Sequence, residues 1–90
     1  MSMLIDVRTQ EEFNEGHAHN VAHIPLDQIL ENKLGAIAEQ SKDAQLYLHC
    51  RSGGRSGQAV DHLKTLGYTN VHNVGGLDQV LTAQSEGKEF

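Results

Sequence analysis

One cysteine, two arginines, two serines and a glycine pair fall together in the run Cys50-Arg51-Ser52-Gly53-Gly54-Arg55-Ser56. A free thiol with a pKa near 8.5 is only about 3% thiolate at pH 7, and the thiolate is the nucleophile. Three features of this run favour ionisation. Backbone N–H groups of a tight turn can converge on sulfur, a helix beginning just after the loop presents its positive N-terminal end, and Arg51 and Arg55 add charge. A depression of about two pKa units, or about 2.7 kcal/mol, makes thiolate the major form at neutral pH. Gly53 and Gly54 are expected to matter equally, because a backbone curled round one atom needs angles that residues bearing a side chain reach poorly; Ala at either position should open the cradle. No Asp or Glu occurs between Gln45 and Val60, although the chain carries a formal net charge of -5, so the loop is a positive island suited to an anion. A lone cysteine is ordinarily a small buried hydrophobe. This neighbourhood outweighs that reading, and the thiol is expected to open to solvent.

The elements that must hold the loop follow from periodicity. Leu46 and Leu48 alternate with Gln45, Tyr47 and His49, a strand that delivers the chain into Cys50. The same alternation sends His49 to the face opposite Cys50, which argues against a Cys–His base pair. From about Ser56 a helix is expected, with Ala59, Val60, Leu63 and Leu66 inward and Gly67 at its left-handed end. Upstream, residues 4–7 read as a strand carrying Asp6, and Thr9 with Glu12 forms a capping box for a short helix. Arg8 and Glu12 are expected to pair, contributing under about 1 kcal/mol. Residues 16–23 read as loop; His17, His19 and His23 suit turn hydrogen bonding better than metal ligation, since no helix aligns them and no thiolate is near. Asp27 is expected to cap a helix with Ile29, Leu30, Leu34 and Ile37 inward, broken at Gly35. Residues 71–74 form another strand, Gly75-Gly76 turn the chain, and 77–83 make a last helical segment. Residues 84–90 have too little apolar content to hold down and are expected to fray.

Strands alternating with helices of this length imply a small α/β domain: a mainly parallel sheet of about four strands with helices on both faces, and a site beyond the carboxyl ends of the strands, where Cys50 falls. Ninety residues suffice for one core, hence a single domain over 1–90. The acidic balance opposes attachment to nucleic acid or an anionic membrane. The single cysteine excludes an internal disulfide and a multi-cysteine metal cluster. No apolar run approaches the roughly 18 residues of a membrane span, and the opening residues do not read as an export signal. No metal or other cofactor is called for, and a monomer is expected.

The assembled motifs resemble the rhodanese family, and within it the small single-domain, phage-shock type. Leu4-Ile5-Asp6-Val7-Arg8 followed by Glu12-Phe13 is similar to the family's opening strand and helix, and Gly16-His17 through Ile24-Pro25 to its characteristic segment. Cys50 to Ala59 resembles the active-site loop and helix; Gly67-Tyr68, Val71 and Asn73-Val74-Gly75-Gly76-Leu77 resemble the last strand and double-glycine turn. Two departures stand out: the usual strand and helix before the first motif are absent, which leaves a sheet edge exposed, and Asn20-Val21 replaces a Gly-Ala, Asn being the next-best residue for a left-handed turn.

This resemblance implies a sulfurtransferase. Cys50 would attack the outer sulfur of a small anionic donor such as thiosulfate, and the resulting persulfide would pass its sulfur to cyanide, to a thiol, or to a thiol-carrying protein. The loop from Arg51 through Ser52, Gly53, Gly54, Arg55 and Ser56 would bind the donor, with both guanidiniums meeting its oxygens, while Asp6 would brace the loop. A sulfur carrier or rhodanese-like binding module is the alternative. A phosphatase or arsenate reductase is disfavoured, since those enzymes of similar architecture place Arg six positions after Cys; here that position is Ser56, and Arg55 belongs to a shorter loop. For compartment, the resemblance tilts toward the periplasm, with the cytoplasm as the other choice.

Overall fold

The computed structural model describes residues 2–90. Four parallel strands, β1 (Ser2–Asp6), β2 (Val21–His23), β3 (Gln45–Cys50) and β4 (Val71–Gly76), form one sheet in the order β2-β1-β3-β4. Each parallel step needs a crossover. These are made by α1 (Gln10–Glu15), by α2 (Leu26–Leu30) with a 3₁₀ turn over Gly35–Glu39, and by α3 (Gly54–Thr65); α4 (Leu77–Ser85) follows the last strand.

Side-chain alternation sorts the strands into two cores. Ile5, Val7, Leu46, Leu48 and Cys50 share one buried face with Ile29 of α2, Ile37 of the 3₁₀ turn and Ala59, Val60 and Leu63 of α3. Leu4 and Tyr47 lie on the other face, with Val80 of α4 and Ala18. Fully burying each of these aliphatic side chains contributes about 1.5–3 kcal/mol. The register matches Ile5 with Leu48 and Asp6 with His49, so Asp6 and His49 share the α4 face while Cys50 is on the α2–α3 face.

Several local expectations change. Residues 21–23 form β2 rather than loop, because β1 supplies the ladder partners Leu4, Ile5 and Asp6. Asp27 sits inside the first turn of α2; the cap position is Pro25, with no side-chain hydrogen bond, and the helix ends at Leu30, well before Gly35. The glycine pair at 75 and 76 is strand as well as turn, since Cys50 pairs with Gly76 across an irregularity. At the C-terminal end α4 runs to Ser85, Gln84 donates to the His19 carbonyl, and the Phe90 ring meets Tyr47 edge-on at 5.6 Å. Asn20 adopts the left-handed turn, at φ 54°.

Candidate active site

Cys50 is the last residue of β3, and α3 begins at Gly54, so the loop between them is as short as the sequence implies. Gly53 caps the helix at φ 101°, a conformation natural only to glycine. That turn aims the Gly53 N–H at the sulfur, 3.0 Å away. The Ser56 hydroxyl, one turn into α3, is 3.5 Å from Sγ. Burial pushes the Cys50 thiol up, but the Ser56 hydroxyl and the N–H groups of Ser56, Ser52 and Gly53 outweigh it, and the pKa falls from 9.0 to about 7. Roughly half the sulfur is then thiolate at pH 7. The shift has the expected size, and its leading lowering causes are a hydroxyl and peptide amides.

Burial itself is a correction. Cys50 is 1% exposed and belongs to the α2–α3 core, so its sulfur lies beneath the loop instead of opening onto solvent. Only a small reagent that enters between the loop amides, or a loop that lifts, brings a reacting atom to it.

Arg51 and Ser52 are exposed at the rim. Arg55 is not free to meet an anion: its two terminal nitrogens donate to both Glu12 carboxylate oxygens at 2.6 and 2.9 Å. Its guanidinium holds the Glu12 carboxyl down at about 2, and Glu12 in turn raises Arg55. Glu12 still closes the expected capping box with Thr9. The Arg8–Glu12 pair therefore does not form. Arg8 instead donates through Nη2 to Asp6 Oδ2 at 2.7 Å and to the Gly16 carbonyl at 2.8 Å. Asp6 is buried, and among the described residues its carboxylate accepts hydrogen bonds from Arg8 alone, so it does not brace the Cys50 loop directly. Gly54 has an ordinary φ, and a Cβ there would meet nothing within 4 Å, so only one of the two loop glycines is required by backbone geometry.

His49 is buried on the far face, as alternation requires. Its Nδ1 lies 3.2 Å from the Cys50 carbonyl, its Nε2 has no hydrogen-bond partner among the described residues, and burial pushes its pKa down. His17 and His23 stack on Phe13, their ring centroids at 3.8 and 4.3 Å, and hydrogen-bond to the carbonyls of Phe13 and Arg8. The contact that sequence reasoning missed is Asn73 on β4. Its amide touches both Ser56 and Gly53. A residue that many positions away carries no local signal of this.

A profile of the rhodanese-like domain matches residues 1–83, nearly the whole chain. The chain belongs to the rhodanese-like domain family. Among its relatives, the thiosulfate sulfurtransferase PspE of Escherichia coli (strain K12) is 34% identical over 83 residues, covering 92% of this chain and 78% of that protein. The adenylyltransferase and sulfurtransferase uba4 of Ogataea parapolymorpha is 39% identical over 77 residues, or 84% of this chain, yet this chain spans only 19% of that protein. A solved structure described as a rhodanese with anions from E. coli superposes with a TM-score of 0.78 at 34% identity, covering 88% of this chain and 91% of that one. The rhodanese-like domain thus keeps the family architecture with four strands.

Proposed function

We propose that this rhodanese-like domain is a sulfurtransferase that moves sulfane sulfur from thiosulfate, or a donor of like chemistry, to cyanide or a thiol through a persulfide on Cys50. The observation that carries the reading is the Gly53 N–H donating to a thiol whose pKa is brought to about 7. In the first half-reaction the Cys50 thiolate attacks the outer sulfur of thiosulfate; the S–S bond to the sulfonate breaks, and sulfite leaves with the bonding pair. In the second, cyanide attacks the outer persulfide sulfur, thiocyanate departs, and the Cys50 thiolate returns. The loop N–H groups suit both charged states, because a hydrogen bond to an ionised acceptor is roughly twice as strong as a neutral one. Arg51, exposed at the rim, is the guanidinium left to meet the donor's oxygens, since Arg55 is closed on Glu12.

A second reading has one observation behind it: the same domain is a fifth or less of the uba4 relative, a larger protein. There it is one unit among others, and Cys50 here could equally take sulfur from, or give it to, a thiol-carrying protein.

Intact-mass measurement separates these readings. After thiosulfate, the enzyme reading expects a gain of one sulfur atom, reversed by cyanide with thiocyanate released, and absent in Cys50→Ser. No sulfur gain with thiosulfate, but gain with a protein persulfide donor, selects the carrier. Gain retained in Cys50→Ser overturns both.

A further inference from the structure

We infer that Asn73 is a positioning residue for the sulfur cradle, holding from β4 the Gly53 carbonyl and the Ser56 hydroxyl; this rests on the sulfurtransferase reading of Cys50. The Asn73 amide can be oriented without ambiguity. Its Nδ2 lies 2.8 Å from the Gly53 carbonyl, which can only accept, and its Oδ1 lies 3.0 Å from the Gly75 N–H, which can only donate. Ser56 Oγ, 2.7 Å from that same Oδ1, must therefore direct its single proton to Asn73. One side chain thus bonds the carbonyl of Gly53, the residue whose N–H meets sulfur, and the hydroxyl of Ser56, which is 3.5 Å from sulfur.

Proton counting gives the cradle two arrangements. In the neutral thiol, Ser56 donates to Asn73 Oδ1 and turns a lone pair toward Cys50. When sulfur is ionised or carries a persulfide, the hydroxyl turns to donate to it, and Oδ1 keeps the Gly75 N–H. Asn73 holds the hydroxyl beside the sulfur in the first state and gives it up in the second. Removing Asn73 has two opposed effects: it ends the competition for the Ser56 proton, which favours the thiolate, and it loosens Gly53, whose N–H donates to sulfur, which disfavours it. The second acts on a charge-assisted bond and is the larger, so the thiol pKa rises.

Other charged groups near the loop do not compete for this role. Arg51 is exposed, Arg55 is closed on Glu12 of α1, and Asp6 of β1 is closed on Arg8 just beyond that strand. His49 lies on the opposite face of β3, Asp27 of α2 lines the groove beside Arg55, and Asp78 of α4 is exposed. Asn73 is the β4 group that reaches the loop.

The test is the pH dependence of Cys50 alkylation by iodoacetamide and of thiolate absorbance, which reads ionisation without any sulfur transfer. Asn73→Ala should raise the midpoint by about one unit, or roughly fivefold less thiolate at pH 7. The rise should be larger in a Ser56→Ala background, because there the competition between Asn73 and sulfur for that hydroxyl's proton, which opposes the rise, is gone. Gly57→Ala supplies a second variant: its Cβ would come within 3.3 Å of Asn73 Nδ2 and push the amide a few tenths of an ångström from the loop, while Ala improves the helix. It should raise the midpoint in the same direction with the melting temperature unchanged or higher. An unmoved midpoint in Asn73→Ala, or an equal rise with and without Ser56, overturns the inference while leaving the sulfurtransferase reading intact. A wild-type thiol that stays protonated well above neutrality and takes no sulfur overturns that reading itself.

Discussion

Glu12 is committed twice, to the N-terminus of α1 and to the guanidinium of Arg55. Gln at this position keeps a capping-box side chain but removes the charge, so Glu12→Gln separates the two duties. The pair is partly buried, and its loss should cost about 1 kcal/mol of stability, in the range of a well-formed surface pair. Its pH dependence has a definite sign. The folded-state pKa of Glu12 is depressed from 4.5 to about 2, so the stabilisation is complete above the unfolded value and is lost as pH falls through that window. Acid unfolding curves should show wild type losing its advantage over Glu12→Gln between about pH 4.5 and 2. The same variant releases Arg55 toward the rim. The expected result is a lower KM for thiosulfate with kcat for cyanide largely kept; an unchanged KM would mean that Arg55 does not reach the donor even when free.

At the scale of the element, the Cys50 loop joins β3 to α3 and leans on β4. Gly53 is at φ 101°, and a Cβ added there would meet Gly75 Cα at 3.4 Å, whereas Gly54 has open space. A side chain in the left-handed region costs about 1–2 kcal/mol. Gly53→Ala should therefore lower the melting temperature and cut persulfide formation at pH 7 several-fold, while Gly54→Ala, at the first position of α3, should leave both near wild type. Equal losses in the two variants would restore the view that both glycines shape the cradle. Gly76 adds a constraint of the same kind, since a Cβ there would collide with the Arg51 carbonyl. These contacts explain what could be read from the sequence. The strand into Cys50, the helix after it, the Thr9–Glu12 capping box and the left-handed Gly67 are local patterns, and local patterns were legible. Partners across the fold were not. Glu12 chose Arg55, 43 positions away, because α1 and α3 come together only after the sheet forms, and Arg8 was left to Asp6, two positions back. β2 was unreadable for the same reason: a three-residue strand gains its stability from its neighbour, not from its own alternation. The two glycines looked equivalent because a sequence reports their type and not their φ.

Over the whole molecule, an acidic body carries a small positive rim. The formal charge is -5, the Cα radius of gyration is 11.9 Å, and among the described residues the Cys50 loop joins the nucleophile to the exposed Arg51. A thiosulfate dianion approaching this molecule therefore feels two opposing fields of different range. Near 0.01 M salt the Debye length is about 30 Å, longer than the molecule's radius, and the repulsion of the entire body acts on the dianion. Near 0.1 M the length is about 10 Å, so distant carboxylates are screened while Arg51 and the loop N–H groups, at contact range, are screened much less. Adding an inert salt over this interval should accelerate persulfide formation from thiosulfate. The second half-reaction, with the singly charged cyanide, should respond less, and alkylation of Cys50 by neutral iodoacetamide should not respond at all. Stopped-flow or quenched mass measurement at the two ionic strengths reads all three. If salt instead slows the thiosulfate step while leaving iodoacetamide untouched, the local guanidinium field dominates the approach, and the body's net charge has no say in which anions reach the sulfur.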